Sequence, residues 1–313
     1  MAYAVPKEAY NGKVLNVKFG KDANAVSIGG ENAMPFLSFE GNIPNKPVIA
    51  YEIQDMPPDD WPDTVKNQFA GVSSSPVTWA QRCQNELKAQ AIALRLISTH
   101  PDRENRSPQD AAKTVKDVLS AINIPLIILG SNNVEKDASV LVAAAEAAGG
   151  YNCIIGKAQE GNYKTIVAAA LAHNHKIIAM SELDINLAKQ LNILITQMGF
   201  NKENLITDPM CSALGYGLEY TYSVMERIRL AALLQNDATM QPPIAGDVGM
   251  YVWKIKEVSA SESEAPLWGL LEERGIAWEA LTAAAMLIAG TNLLIMRHPK
   301  AVETVQKTIE ELV

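Results

Sequence analysis

Nowhere in the 313 residues is there a run of lysine and arginine, and the chain carries a formal charge of −8. A protein that tracks phosphates needs a basic stripe, so this balance argues against nucleic-acid binding. Aromatic residues are scarce, at 6 %; the apolar content rests on Ala, Val, Ile and Leu, which suits parallel strands covered by helices. Only three cysteines occur, Cys83, Cys153 and Cys211, far apart and without a Cys-x-x-Cys pair. That argues against a disulfide framework, a structural zinc site or an iron–sulfur cluster held by this chain. No uncharged apolar stretch reaches membrane-spanning length, and the opening MAYAVPKEAY lacks the apolar core of a signal peptide, so a cytoplasmic protein without membrane contact is expected. The phosphate-binding patterns GxGxxG and GxxxxGK[ST] are missing, as is the GxSxG elbow of a serine nucleophile.

What is present is a large apolar fraction, 48 % of residues against 20 % charged, arranged with a period. Two short β-type runs, VLNVKFG (14–20) and AVSIGG (25–30), flank the polar KDAN and predict a hairpin. A Gly-, Pro- and Asn-rich lead-in follows, so residues 1–46 form a hairpin-and-loop segment and residues 47–313 the main body. From Pro47 onward eight apolar runs alternate with helical patterns: PVIAYEI (47–53), AIALRLI (91–97), PLIILG (125–130), NCIIG (152–156), KIIAM (176–180), NLITDP (204–209), PPIAGDVG (242–249) and NLLIMR (292–297). Eight strand–helix units predict an α/β fold, a (β/α)8 TIM barrel with an N-terminal β-hairpin extension. Ser107-Pro108, Asp184 and His298-Pro299 are expected to open helices. VSASESEAPLWG (258–269) reads as a long exposed loop after the seventh barrel strand.

Functional groups of such a barrel sit after the C-terminal strand ends. That rule selects Glu52, Gln54 and Asp55; His100 and Asp102; Ser131, Asn132, Asn133 and Glu135; Lys157, Gln159, Glu160 and Asn162; Ser181 and Asp184; Asp208; Asp247; and Arg297 with His298. Amides and carboxylates dominate, a chemistry suited to a polar organic ligand, although each position also reads as a helix cap or loop contact. Gly215-Tyr216-Gly217 lies on the same face before a long helix, where backbone could approach a bulky ligand. His173 and His175 form a His-x-His pair at a helix-to-strand junction away from that face, and a structural role is expected. No catalytic set and no metal site emerges.

Several ordered segments carry a resemblance: DPMCSALGYGLEYTYSVMERIRLAAL (208–233), KPVIAYEIQD with DWPD (46–63), SNNVEKDASVL (131–141), KAQEGNYKTI (157–166), SELDINLAKQLNILI (181–195) and ERGIAWEALTAAAMLIAGTNLLIMRHPKAV (273–302). Together they resemble the small subunit of the corrinoid iron–sulfur protein, the acetyl-CoA decarbonylase/synthase delta-subunit family. The resemblance implies a TIM barrel that pairs with a large subunit. The large subunit would hold the iron–sulfur cluster and share a cobalamin (corrinoid) with the barrel mouth. It further implies a non-catalytic role in methyl transfer, with a methyltetrahydrofolate-dependent methyltransferase and acetyl-CoA synthase as transient partners. Barrel topology, rather than the family, nominates the corrin-facing residues: Asn132, Asn133, Gln159, Asn162, Asp184, Asp208, Gly215, Tyr216 and Gly217. Two other readings stand beside this one: a stand-alone barrel methyltransferase acting on methyltetrahydrofolate, and a scaffold with an occluded mouth and no cofactor contact.

Overall fold

The structure, a computed structural model, describes residues 5–313. Residues 1–4 of the expected N-terminal segment lie outside the described residues. The chain opens with an antiparallel hairpin. β1 (Asn16–Phe19) and β2 (Val26–Gly29) pair from Asn16 opposite Gly29 to Phe19 opposite Val26.

Eight parallel strands then close into the predicted barrel. They are β3 (Val48–Gln54), β4 (Ala91–Arg95), β5 (Leu126–Leu129), β6 (Ile154–Ala158), β7 (Lys176–Met180), β8 (Leu205–Asp208), β9 (Ile244–Gly246) and β10 (Thr291–Met296), with β10 returning to pair β3. The outer layer comprises α1 (Asp63–Lys66), α2 (Pro76–Asn85), α3 (Pro108–Ala121), α4 (Val134–Ala147), α5 (Tyr163–His173), α6 (Ile185–Gln197), α7 (Leu218–Leu233), the short α8 (Val248–Val252), α9 (Leu271–Ala289) and α10 (Pro299–Leu312).

Local chemistry explains the helix starts. Ser107 and Asp110 form a reciprocal capping box ahead of Pro108. The Asp184 carboxylate accepts the N–H groups of Asn186 and Leu187, and the His298 ring accepts that of Lys300, each satisfying a donor the helix leaves unpaired. The seventh barrel strand is shorter than its apolar run. Asp247 is drawn into ion pairs beneath the mouth, and α8 begins at Val248.

Strand parity separates two cores. Ile49, Tyr51 and Ile53, Ile92 and Leu94, and their counterparts face the helices. Val48 and Ala50, Ala91 and Ala93, Ile127 and Leu129, Ile178, Ile206, Ala245, Leu293 and Ile295 fill the barrel interior. Val17, Phe19 and Ile28 of the hairpin join this interior cluster, each 0 % exposed. The hairpin is therefore a plug under the N-terminal ends of the strands. It is tied there by backbone bonds from Gly20 to Asn152 and from Leu15 to Gln241, both 2.8 Å. The Asn152 side chain adds bonds to the carbonyls of Lys18 and Gly20. Gly20 sits at φ +89°, and a Cβ there would lie 2.6 Å from Pro125, so only glycine fits that turn.

Candidate functional site at the C-terminal mouth

Two residues beyond the apolar interior, the same inward parity carries charge. Glu52 follows Ala50, Arg95 follows Ala93, Asp208 follows Ile206, Asp247 follows Ala245 and Arg297 follows Ile295. An irregularity in pairing between Gly156 and Ala158 of β6 brings Lys157 to the same layer. All six side chains are nearly or wholly buried, and they alternate in sign. Arg95 donates through Nε to Glu52 at 2.8 Å and through Nη2 to Asp247 at 2.7 Å. Lys157 Nζ lies 2.9 Å from Asp208 and 2.8 Å from Asp247. Arg297 donates to both Glu52 oxygens at 3.0 Å, and its guanidinium lies 4.3 Å over the Trp61 ring. Three cations thus meet three anions, and the layer is neutral.

Titration follows from this packing. Burial alone would raise each carboxyl. The guanidiniums of Arg297 and Arg95 overcome it at Glu52, as Arg95 and Lys157 do at Asp247, and both are held below the usual carboxylate range. At Asp208 burial outweighs the pull of Lys157, and its carboxyl sits above that range. Against their own burial, Arg95 and Lys157 are pushed up by their carboxylate partners and stay protonated. Neither of these two cations is available as a base.

Around this layer runs a rim of hydrogen-bonding loops, and all nine nominated residues lie on it or in the layer. Most are committed locally. The Asn133 side chain accepts the Lys136 N–H and caps α4. Asn162 accepts the Gln159 N–H at 2.8 Å and donates to the Val134 carbonyl at 3.1 Å, bridging the turn after β6 to α4. Asp184 caps α6, and Asp208 belongs to the charge layer. Asn132, at φ +71°, donates its backbone N–H to Asp137 and its side-chain amide weakly to Met250. Gly215 and Gly217 take φ of +79° and +98°, and a Cβ on Gly215 would meet nothing within 4 Å. Tyr216 is exposed and donates its hydroxyl to Glu257 at 2.7 Å. Gln159 leaves its side-chain amide unbonded and borders a cleft of about 220 Å³. Met180, Leu187, Leu191 and Leu194 give the cleft apolar walls, and Glu160 and Glu182 line it as well. Ser181 lies in its lining, 7 % exposed, with its hydroxyl unpartnered.

Two features escaped the sequence reading. Arg95 sits inside an apolar run, and its inward parity with Ala91 and Ala93 shows only once the barrel has closed. Glu279, deep in α9, accepts the backbone N–H groups of Arg297 and His298 at 2.7 and 3.0 Å. Burial pushes it up to about 7. The expectation for His173 and His175 agrees with the geometry. His175 is buried, and its ring bonds the Cys153 N–H and the Ala145 carbonyl at the far end of the barrel.

Residues 16–306 match the family described as CO dehydrogenase/acetyl-CoA synthase delta subunit. The delta subunit of the acetyl-CoA decarbonylase/synthase complex of Methanocaldococcus jannaschii is 35 % identical over 311 residues, covering 96 % of this chain and 75 % of the relative. Its counterpart in Methanosarcina mazei is 37 % identical over 298 residues, covering 94 % and 67 %. Among solved structures, dihydropteroate synthase from Thermus thermophilus in complex with 4-aminobenzoate superposes with a TM-score of 0.57 at 12 % identity, covering 90 % of this chain and 100 % of that one. That likeness confirms the barrel and nothing finer. With the family matched from the hairpin to the last helix, the chain belongs to the delta-subunit family of CO dehydrogenase/acetyl-CoA synthase.

Proposed function

We propose that this chain is the small subunit of a heterodimeric corrinoid iron–sulfur protein, a cytoplasmic methyl carrier. The carrier would run between a methyltetrahydrofolate-dependent methyltransferase and acetyl-CoA synthase in the reductive acetyl-CoA pathway. The observation that carries the reading is the closed, neutral mouth. Every charge of the interior layer has an opposite partner, so all six are committed to one another. A barrel of this kind presents a surface rather than a reaction chamber, and the reaction falls to a group shared with a partner. Among the described residues no helix is long and apolar enough to cross a membrane.

The rim suits a large ring bordered by amides. Gln159 offers a free amide, Glu160 and Glu182 offer acceptors beside apolar walls, and the unpartnered Ser181 hydroxyl can give or take one hydrogen bond. Asn133, Asn162 and Asp184 would act by fixing the loops that carry these groups. Asp208 would hold Lys157 rather than touch the corrin, and Gly215 to Gly217 would bring backbone and the Tyr216 ring to the same face. When bound, the corrinoid supplies the cobalt that accepts and releases the methyl group. The chain's own contribution is to cover one face and exclude water.

The test is co-expression with the large subunit, followed by visible spectroscopy. A corrinoid band with an iron–sulfur shoulder is expected in the complex and should be lost from this chain on separation. Gln159→Ala should speed corrinoid loss from the complex without moving the melting temperature. Steady methyl transfer from methyltetrahydrofolate to free cobalamin by the isolated chain would instead make it a stand-alone methyltransferase and overturn the proposal.

A further inference from the structure

The loop between β9 and α9 displays the most exposed large apolar side chain of the described residues. Leu267 is 96 % exposed, and its neighbours Trp268 and Leu270 are 46 % and 54 % exposed. Such exposure is ordinary in a slack loop, but this one is braced. Arg274, 5 % exposed on α9, donates to four loop carbonyls: Glu257 at 2.8 Å, Ala260 at 2.9 Å, Gly269 at 2.9 Å and Trp268 at 3.2 Å. Its guanidinium also stacks 5.6 Å from the Trp268 ring centre. Within the loop, Ser261 and Glu264 bond each other, and Glu262 accepts the Leu271 N–H. A guanidinium has five N–H donors, and committing four bonds to one loop fixes that loop before anything binds.

Charge narrows what the loop can meet. Between residues 257 and 273 there are five glutamates and no lysine or arginine. A second copy meeting this one through a two-fold contact would set those carboxylates against each other, in a chain already at −8. An anionic membrane surface would repel them equally. A rigid Leu-Trp prong in an acidic collar fits an apolar cleft rimmed by Lys and Arg on a different polypeptide.

We propose that residues 261–270 are a pre-formed docking prong that inserts Leu267 and Trp268 into such a basic-rimmed cleft of the large subunit. This rests on the heterodimer reading above for the identity of the partner. The Tyr216 hydroxyl on Glu257 ties the loop to the corrin-facing rim, and the Trp278 indole on the Leu214 carbonyl ties α9, which follows it, to the same rim. The prong thereby joins partner docking to the face that would cover the cofactor.

The experiment measures association of the two purified subunits and hydrogen exchange of the complex. Leu267→Asp alters a side chain that touches almost nothing, and it should weaken binding by roughly 30-fold or more, chiefly through faster dissociation. Glu273→Lys should weaken it less and flatten its dependence on salt between about 50 and 300 mM. Amides 261–270 should gain protection on assembly. Full affinity of Leu267→Asp, with no added protection of the loop, would overturn the prong while leaving the heterodimer standing. Failure of the wild-type chains to associate would overturn the partner itself, and the heterodimer reading with it.

Discussion

The two ends of the barrel solve one problem in opposite ways. At the N-terminal end the interior is closed by Val17, Phe19 and Ile28, apolar side chains supplied by a separate hairpin. At the C-terminal end it is closed by six ionic side chains supplied by the strands and, for Asp247 and Arg297, by the residues directly after them. The first closure stabilises directly, since each fully buried apolar side chain contributes about 1.5–3 kcal/mol. The second must first overcome the desolvation of six charges, and buried ion pairs seldom outdo well-packed apolar residues of equal volume. Apolar residues would close the mouth without that penalty, and they do so at the other end of the same barrel. What an ionic layer adds is a set of fixed, oriented dipoles just beneath the rim, with every partner specified. The contrast therefore marks the C-terminal end as the one shaped by something besides stability.

The sharpest way to break that contrast is to unbalance the layer. Lys157→Met leaves Asp208 buried without a cation and Asp247 with Arg95 alone, and it should lower unfolding stability by about 3–5 kcal/mol. Lys157→Met with Asp208→Asn restores equal numbers, two cations facing two anions, and should recover most of the loss. Urea denaturation of the two single variants and the double measures the coupling. Additive losses would mean that the residues are not acting as one neutral layer. The N-terminal plug should behave differently. Phe19→Ala leaves a void that no second substitution neutralises, and it should lower stability by about 3 kcal/mol. Hydrogen exchange should show that loss around the hairpin and the strand starts, with the mouth unaffected.

How much of this was legible from the sequence depends on the kind of information each feature needs. The strands were legible because each apolar run is short and bounded by Pro, Gly, Asn or Asp. The helix starts were legible because a cap is a local bond, as at Ser107 and Asp184. The plug was legible as a hairpin, but not as a plug, because Phe19 joins Ile127 and Ile178 in one buried cluster only after the barrel has closed. The charge layer was half visible. Glu52, Lys157, Asp208, Asp247 and Arg297 fall at strand ends where function is expected, yet their pairing joins residues as far apart as 52 and 297. Parallel strands buried on both faces carry no alternating pattern to mark which side is inward, so nothing in the run AIALRLI singled out Arg95. The nine nominated residues all lie at the C-terminal face, because barrel topology alone dictates where strand-end loops go. A capping Asn and a ligand-binding Asn carry the same sequence signal, and the bonds of Asn133 and Asn162 separate the two roles only in three dimensions.

A smaller effect distinguishes cap from ligand at Asp184. Asp184→Ala removes the acceptor for two N–H groups and should cost about 1 kcal/mol, the usual value of an N-cap. Retention of the corrinoid in the complex should be unchanged. Faster corrinoid release at equal stability would mean that Asp184 also reaches the cofactor, and its committed carboxylate would then be the wrong guide to its role.

In the unaltered pair the expected effect of pH is small, and it also belongs to the C-terminal end. Glu279 sits at about 7 when folded against 4.5 in the free side chain. Its contribution is thus complete below pH 4.5 and is lost as pH rises toward 7. His298, whose backbone N–H Glu279 accepts, moves the other way, lowered by burial to about 4 from 6.5. Its contribution is present above pH 6.5 and is lost as pH falls toward 4. Between pH 4.5 and 6.5 the two slopes oppose each other at about 1.4 kcal/mol per pH unit each. The summed contribution of this pair should therefore vary by less than about 1 kcal/mol across that window. His298→Asn keeps a capping side chain on α10 and removes one slope. Its urea midpoint should then fall steadily from pH 4.5 to 7, and exchange should quicken in α10 while the hairpin stays protected. A flat profile in that variant would mean that Glu279 is ionised throughout, held by the N–H groups of Arg297 and His298 more strongly than burial opposes it. The ionic mouth would then extend one residue deeper into the helix layer than the six paired charges suggest.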